Sequence, residues 1–429
     1  MDSTIPEVII ASSKVCSVFD ATNSNEITSY KDENPLSPKT LCLIADYFLI
    51  AAYSNKPMLK VWTISKVRKQ ETGSFVVPGQ VSALAVSNCG TFCIAGIKQE
   101  IYVWDVSSGE ILSILDRHYQ DISCLKFTAD DSRFFSGGKD GHVMVWVLSC
   151  VVDVSTRDDT IKPHFVWNKH SAAVTDIYSG HAVSRVATTS LDMTCNIYEL
   201  DSGLLLSTIC MDSPLTSVVM DPLEYFIFLG DGTGYLYKID TYEKLQLEIH
   251  KDDVDNNASL KLHDTSIFSL SISSDGTRLM TVSEDSCKVW HMLSMSCILN
   301  IPSEGKFTNA FLAVKPPCLT DPSVRPHSCI RAFQKENSPT VDAKKYIETS
   351  IQRKELSLMY DGCPDKFISS SFLSPGNKVD ALEESVEHIF EDVVHGPLLN
   401  HLMTVNHHLY ANSIKTVLNE IYDEPTSPK

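Results

Sequence analysis

Ile122-Ser123-Cys124-Leu125-Lys126-Phe127, then Thr128-Ala129-Asp130-Asp131-Ser132, then Arg133-Phe134-Phe135-Ser136, then Gly137-Gly138-Lys139-Asp140-Gly141, then His142-Val143-Met144-Val145-Trp146: this stretch decides the fold. Three short apolar runs, rich in the β-branched and aromatic residues that suit a pleated surface, are divided by two polar turn clusters. Glycine in the second cluster supplies positive φ without steric cost, so the last two runs read as a hairpin. Apolar residues recur with period two rather than 3.6, which excludes a helical bundle.

The unit repeats. Its closing aromatic or apolar residue falls at Phe19, Trp62, Trp104, Trp146, Tyr198, Ile239 and Trp290, at spacings of 43, 42, 42, 52, 41 and 51 residues. That is the period of a four-stranded propeller blade, with insertions of about ten residues in two repeats. Seven ends predict seven blades. At the N-terminus, 7–12, 14–20 and 25–31 supply three strands without a leading partner. After Trp290, a strand at 296–301 is followed by a lone apolar run, 308–314. Joining the two ends completes a blade and removes open sheet edges, so the ring spans about residues 5–314 and the first domain 1–314.

These residues resemble the WD-repeat propeller family. The one literal Trp-Asp pair is Trp104-Asp105, but the family's supporting hydrogen-bond set recurs. In that family a His, a Ser or Thr, a turn Asp and a Trp are linked to brace each blade. The repeat ending at Trp146 offers His118, Ser136, Asp140 and Trp146. The next offers His170, Thr188, Asp192 and Tyr198 at identical Ser/Thr-to-Asp-to-aromatic spacing. The last offers His263, Thr281, Asp285 and Trp290, one residue short. A His–Asp–Ser set could also be read as a hydrolytic triad. The bracing reading is preferred because the set occurs three times, whereas a catalytic site occurs once, and a buried His requires such partners.

Composition narrows the function. The 429 residues are 43% hydrophobic and 21% charged, enough apolar material for a large core. With 36 Lys and Arg against 54 Asp and Glu, the net charge of −18 disfavours direct polyanion binding. No eighteen-residue apolar run spans a membrane, and the first residues lack secretory-signal features, which points to cytosol or nucleus. The thirteen cysteines are odd in number and mostly sit in apolar runs, as small buried hydrophobes in a reducing compartment do. Cys89 and Cys93 flank a hairpin tip and lack a second Cys/His pair for zinc. Gly137–Gly141 and Gly230–Gly234 are turns between strands, not phosphate loops opening helices. Asp252-Asp253-Val254-Asp255 lacks the glycine and terminal Glu of a calcium loop. No cofactor, metal or catalytic residue is expected.

Beyond Lys315 the pattern changes. Seven prolines between Pro316 and Pro375 mark an irregular linker, 315–377, able to drape over the ring, with a short helix near 343–358. From Lys378 the period becomes helical. Leu382, Val386, Ile389 and Val393 form one seam, with Glu383, Glu384, Glu387, Glu391 and Asp392 on the remaining face. After Gly396-Pro397, a second run carries Leu398, Leu402, Val405 and Leu409, then Ile414, Val417 and Ile421. The seam could pack on the ring or serve a partner. A propeller buries its core internally, so a partner or dimer role for 378–422 is favoured, with 423–429 as a tail. The fold class is therefore all-β, a seven-bladed WD-repeat β-propeller with a C-terminal α-helical, coiled-coil-like extension.

A narrower resemblance lies in Arg117-His118-Tyr119-Gln120-Asp121-Ile122-Ser123-Cys124-Leu125, Ser136–Asp140, Val166-Trp167, His170 with Val174-Thr175-Asp176, and Ser184–Asp192. Ser202–Ser207, Met220-Asp221 with Glu224-Tyr225, and Phe307-Thr308-Asn309-Ala310 extend it. Together these resemble the family of WD repeat-containing protein 18, the WD-repeat subunit of the rixosome, over about residues 80–314. The resemblance implies a non-catalytic scaffold in a nucleolar and nucleoplasmic complex. Such a complex removes the second internal transcribed spacer from precursor large-subunit rRNA and engages the midasin-type AAA ATPase on pre-60S particles. It also implies a homodimer through the C-terminal helices, RNA contact through partners, and links to chromatin and replication initiation. Receptors of cullin-type ubiquitin ligases are the alternative WD-repeat class. They often carry Arg two residues after Trp-Asp, where this chain has Val106-Ser107.

Overall fold

A computed structural model describes residues 6–12, 15–31, 34–64, 72–153, 161–180, 185–241, 248–250, 259–303, 305–320 and 330–335. They form seven sheets, antiparallel but for one added edge pairing, arranged as a seven-bladed β-propeller. Blade 1 orders Asn309–Val314, Glu7–Ser12, Val15–Asp20 and Glu26–Lys31. Blade 2 has Cys42–Ile44, Phe48–Ala52, Met58–Thr63 and Thr72–Val76. Blade 3 has Val81–Val86, Phe92–Ile97, Glu100–Asp105 and Ile111–Asp116. In blade 4 the strands are Ile122–Phe127, Arg133–Gly138, Val143–Val147 and Phe165–Trp167. Blade 5 contains Val174–Ser179, Arg185–Ser190, Thr194–Glu199 and Leu205–Cys210. Blade 6 contains Leu215–Met220, Phe226–Asp231, Tyr235–Asp240 and Ser259–Lys261. Blade 7 ends the series with Ile267–Ile272, Arg278–Ser283, Ser286–His291 and Cys297–Pro302. Every one of the seven aligned closing residues lies in a third strand.

The ring closes through blade 1. Its first strand is the last of the series in sequence, paired in register from Glu7↔Val314 to Ser12↔Asn309. The first strands of successive blades contact one another, which makes them the innermost. Between neighbouring blades lie the apolar cores. One, for example, joins Ile94, Val103 and Leu112 of blade 3 to Phe134, Met144 and Trp146 of blade 4.

A polar girdle ties the inner strands together. Ser37 Oγ donates to Val81 O (3.3 Å), Ser82 Oγ to Ile122 O (2.6 Å) and Ser123 Oγ to Val174 O (2.6 Å). Thr175 Oγ1 donates to Leu215 O (2.9 Å), Thr216 Oγ1 to Ile267 O, and Ser269 Oγ to Ala310 O (3.0 Å). Asn309 Nδ2 returns the chain of bonds to Ser37 O at 2.8 Å. Each blade thus grips the next, and the circle closes. In blades 3 to 7 the register shifts within the first three residues of the inner strand, as a β-bulge does, and re-aims the hydroxyl toward the neighbour.

Both insertions acquire structure. The first contains a helix, Leu148–Val152, whose Leu148, Val151 and Val152 are buried. In the second, Glu248–His250 pairs parallel with the outer strand of blade 5, Thr208↔Glu248 to Cys210↔His250, and covers its edge. The Asp252–Asp255 acids lie outside the described residues.

The expected linker is partly built into the ring. Helix Pro317–Thr320 buries Cys318 and Leu319 in the cluster that holds Trp62, and Phe333 joins the cluster that holds Trp104. The expected helix at 343–358, the seam Leu382, Val386, Ile389, Val393, Leu398, Leu402, Val405 and Leu409, and the tail lie outside the described residues.

Candidate interaction surfaces

In blade 4 the brace is a relay of hydrogen bonds. Trp146 Nε1–H donates to Ser136 Oγ at 3.0 Å, and Ser136 Oγ lies 2.8 Å from His118 Nε2. His118 Nδ1 is 3.2 Å from Asp140 Oδ2, and Asp140 also accepts the Tyr119 and His142 backbone N–H groups at 3.0 Å each. A neutral imidazole protonated at Nδ1 satisfies every member: indole to hydroxyl, hydroxyl to Nε2, Nδ1–H to carboxylate. Burial lowers the His118 pKa, consistent with the neutral form, although Asp140 pulls it upward. Ser136 is wholly buried, so its hydroxyl cannot meet a substrate. The relay braces and does not catalyse.

Blade 5 repeats the relay with a change. His170 Nε2 is 2.9 Å from Thr188 Oγ1, and His170 Nδ1 is 3.2 Å from Asp192 Oδ2 and 3.0 Å from Thr194 Oγ1. Asp192 further accepts Ser171 N–H, Thr194 N–H and Thr194 O–H. Desolvation opposes ionisation of Asp192, but bonds from His170, Thr194 and Ser171 outweigh it and hold the carboxyl well below the usual range. Tyr198 does not fill the indole's place. Its hydroxyl is buried without a partner, and its ring stacks on Trp167 at 4.0 Å between centroids.

The last brace departs from the sequence reading. His263 Nε2 is 2.7 Å from Thr281 Oγ1, which accepts Trp290 Nε1–H at 3.0 Å. Nδ1, however, meets Ser286 Oγ at 3.2 Å. Asp285, expected as the partner, is exposed at the turn. The missing residue leaves only Glu284 and Asp285 between the strands, and the first residue of the third strand takes the Asp's role. Burial, with Lys288 nearby, pushes the His263 pKa down to about 4.

Blade 6 uses a brace that the sequence reading missed. Asp231, fully buried, accepts Ser213 Oγ at 2.7 Å, Thr233 Oγ1 at 2.6 Å, Tyr237 OH at 3.3 Å, and the backbone N–H groups of Thr233 and Tyr235. The available signal was Gly230-Asp231-Gly232-Thr233-Gly234, an aspartate at a tight turn two residues before a threonine. The Ser/Thr girdle was also missed, although an Ile, Leu or Val immediately precedes its hydroxyl residue at 81–82, 122–123, 174–175 and 215–216.

Most of the described cysteines pack inside the ring, while Cys150 and Cys297 are exposed. Burial pushes Cys16, Cys42, Cys124 and Cys287 up to about 12, far from thiolate formation at neutral pH. Among the described residues no group of three His, Cys, Asp or Glu could hold a metal. A central channel cavity of about 420 Å³ is lined by Lys39 and by inner-strand residues including Lys126, Asp176 and Tyr178.

The large apolar side chains that remain exposed are unevenly placed. On the face carrying the brace turns stand Tyr119, Leu191, Met193 and Tyr235, from blades 4 to 6. Leu204, Leu223, Tyr225 and Leu293, from blades 5 to 7, stand on turns of the opposite face. Large exposed side chains on rigid turns suit protein contact.

A closed ring of sheets with internal His–Ser/Thr relays and apolar contact residues on its turns defines a WD-repeat β-propeller. Residues 109–147 and 255–291 match the family described as WD domain, G-beta repeat. Over 325 residues, 75% of each chain, the sequence is 34% identical to WD repeat-containing protein 18 of Rattus norvegicus. It is 36% identical to WD repeat-containing protein 18 of Danio rerio over 306 residues, 70% of each chain. It is also 31% identical over 260 residues to Pre-rRNA-processing protein pro-1 of Caenorhabditis briggsae, covering 58% of this chain and 48% of that protein. The chain belongs to the WD repeat-containing protein 18 family.

Proposed function

We propose that this chain is a non-catalytic scaffold subunit of a rixosome-like nuclear complex. In this reading it acts in rRNA processing at the second internal transcribed spacer and in assembly of the large ribosomal subunit. The observation that carries it is kinship over 325 residues with WD repeat-containing protein 18 and over 260 residues with a protein named for pre-rRNA processing. The polar sets that could suggest catalysis are consumed as braces, which leaves binding as the ring's task. Residues 378–422 mediate homodimerisation and partner docking, and the midasin-type AAA ATPase on pre-60S particles is among the assemblies engaged. A net charge of −18 assigns RNA contact to partners, and the site of action is nucleolus and nucleoplasm.

Affinity purification of the tagged chain with mass spectrometry, paired with depletion and blotting for spacer-containing precursors, tests this. The expected result is recovery of pre-60S factors and accumulation of precursor. Recovery of cullin adaptors with normal precursor levels would refute the reading in favour of a ligase receptor. A lone protein would refute both.

A further inference from the structure

Trp104, the only tryptophan in a Trp-Asp pair, sits in a blade without the relay. The strand beside it pairs Trp104 with Cys93, as Trp146 pairs with Phe134. Two residues on, Ala95 occupies the position that Ser136 fills in blade 4, so no hydroxyl is there to receive the indole. The acceptor comes instead from 230 residues away. Trp104 Nε1–H donates to the Gln334 carbonyl at 3.0 Å.

Residues 330–335 lie in the cleft between blades 2 and 3. Phe333 is only 4% exposed, stacks on Trp104 at 5.2 Å and 10°, and meets Phe75 at 5.5 Å. Gln334 N–H donates to Gly109 O at 2.8 Å, and Arg331 N–H approaches Val106 O at 3.4 Å. Gly109 has φ +76°, and a Cβ there would lie 2.3 Å from Ala332 O, so the turn admits the segment because it is glycine. One aromatic anchor and a set of main-chain bonds are how a cleft recognises an extended peptide.

We propose that this inter-blade cleft is a peptide-recognition site for an extended segment with a central phenylalanine, and that residues 330–335 are its resident ligand in cis. It stands independently of the rRNA-processing reading, since no part of it rests on the relatives.

The test uses the full chain as wild type, F333A and W104F, with a labelled peptide matching residues 330–337. In wild type the Arg331 and Gln334 amides exchange slowly with deuterium; in F333A both exchange at least about tenfold faster. The peptide binds folded F333A saturably and at least about tenfold more tightly than wild type, whose cleft is filled. A peptide with alanine for phenylalanine does not bind F333A. W104F, which keeps the stack and loses the indole donor, gives intermediate exchange. If F333A does not fold, F333L retains burial without stacking and is expected to show partial release and weaker peptide capture. Unprotected amides in wild type, equal peptide binding to wild type and F333A, or no binding to a folded variant would each overturn the proposal.

Discussion

Replacing Asp192 with alanine tests the brace at its most connected member. The carboxylate holds His170 Nδ1 and accepts Ser171 N–H, Thr194 N–H and Thr194 O–H, while its side chain is only 7% exposed. Hydrogen bonds to a charged group are worth about 1.5–3 kcal/mol each, but they are not additive. Thr194 Oγ1, 3.0 Å from Nδ1, remains to receive the imidazole proton. The structure therefore predicts a loss of about 1–3 kcal/mol, mainly from the part-buried bonds of His170 and Thr194, because the N–H of exposed Ser171 can turn to water. For a ring of this size, whose unfolding entropy is large, that is a fall in Tm of about 2–4 °C. Asp192→Asn keeps one acceptor for Thr194 and turns a donor toward Ser171, so it falls between. The pH dependence supplies an independent sign. Because the folded carboxyl is held below its ordinary pKa, its stabilisation is present above that ordinary value and disappears as pH falls through the folded one. Wild type should lose more Tm than Asp192→Asn between about pH 5 and pH 3, measured by scanning calorimetry in matched buffers. Unchanged Tm in Asp192→Ala, or parallel pH profiles for wild type and Asp192→Asn, would refute the bracing argument.

His263 is pushed down to about 4, so its neutral form stabilises the ring above pH 6.5 and that contribution is lost as pH falls toward 4. His263→Asn should flatten the difference in Tm between pH 7 and pH 5. Ser123→Ala removes bonds to Val174 O and Gly137 O and should cost about 1 kcal/mol in chemical denaturation, while the same change at exposed Ser202 should cost nothing measurable. On the dimer role proposed for residues 378–422, Ile389→Asp with Leu402→Asp should turn that dimer into a monomer by light scattering without altering the ring's Tm. Each apolar seam residue is worth about 1.5–3 kcal/mol when covered, and the introduced charges cannot be buried.

The blade count was legible because the period is physical: each repeat must return a bulky third-strand residue to the same place between sheets. The ring closure was legible for the same reason, since 308–314 and 7–12 each lacked a partner and a propeller tolerates no open edge. The braces were legible where the side chains kept the family's spacing. They failed to be legible where chemistry was conserved by other means. Asp285 resembled its counterparts by count, yet a turn one residue shorter displaced it, and Ser286 satisfied the imidazole. Asp231 gave no His to pair with, so its role as the centre of blade 6 emerges only in three dimensions. The fifth strand on blade 5 could not be read at all, because three residues paired in parallel leave no period in sequence.

The uneven distribution of braces relocates the boundary of the folding unit. Blades 4, 5 and 7 carry relays centred on His118, His170 and His263, and blade 6 carries the Asp231 hub. Blades 2 and 3 have alanine where those relays place a hydroxyl: Ala51, two residues on from Trp62's partner Leu49, and Ala95, two on from Trp104's partner Cys93. These same two blades receive the chain beyond the last strand. Cys318 and Leu319 pack into the Trp62 cluster, and Phe333 with Gln334 covers and satisfies Trp104. What the repeats lack internally is supplied from outside them. A ring cut at residue 314 would expose the apolar Trp62 and Trp104 clusters to water and remove the carbonyl that accepts the Trp104 indole N–H, a bond worth about 1 kcal/mol by itself. The cooperative unit therefore extends to at least residue 335, and the composition break at Lys315 marks the end of the repeats, not the end of the fold.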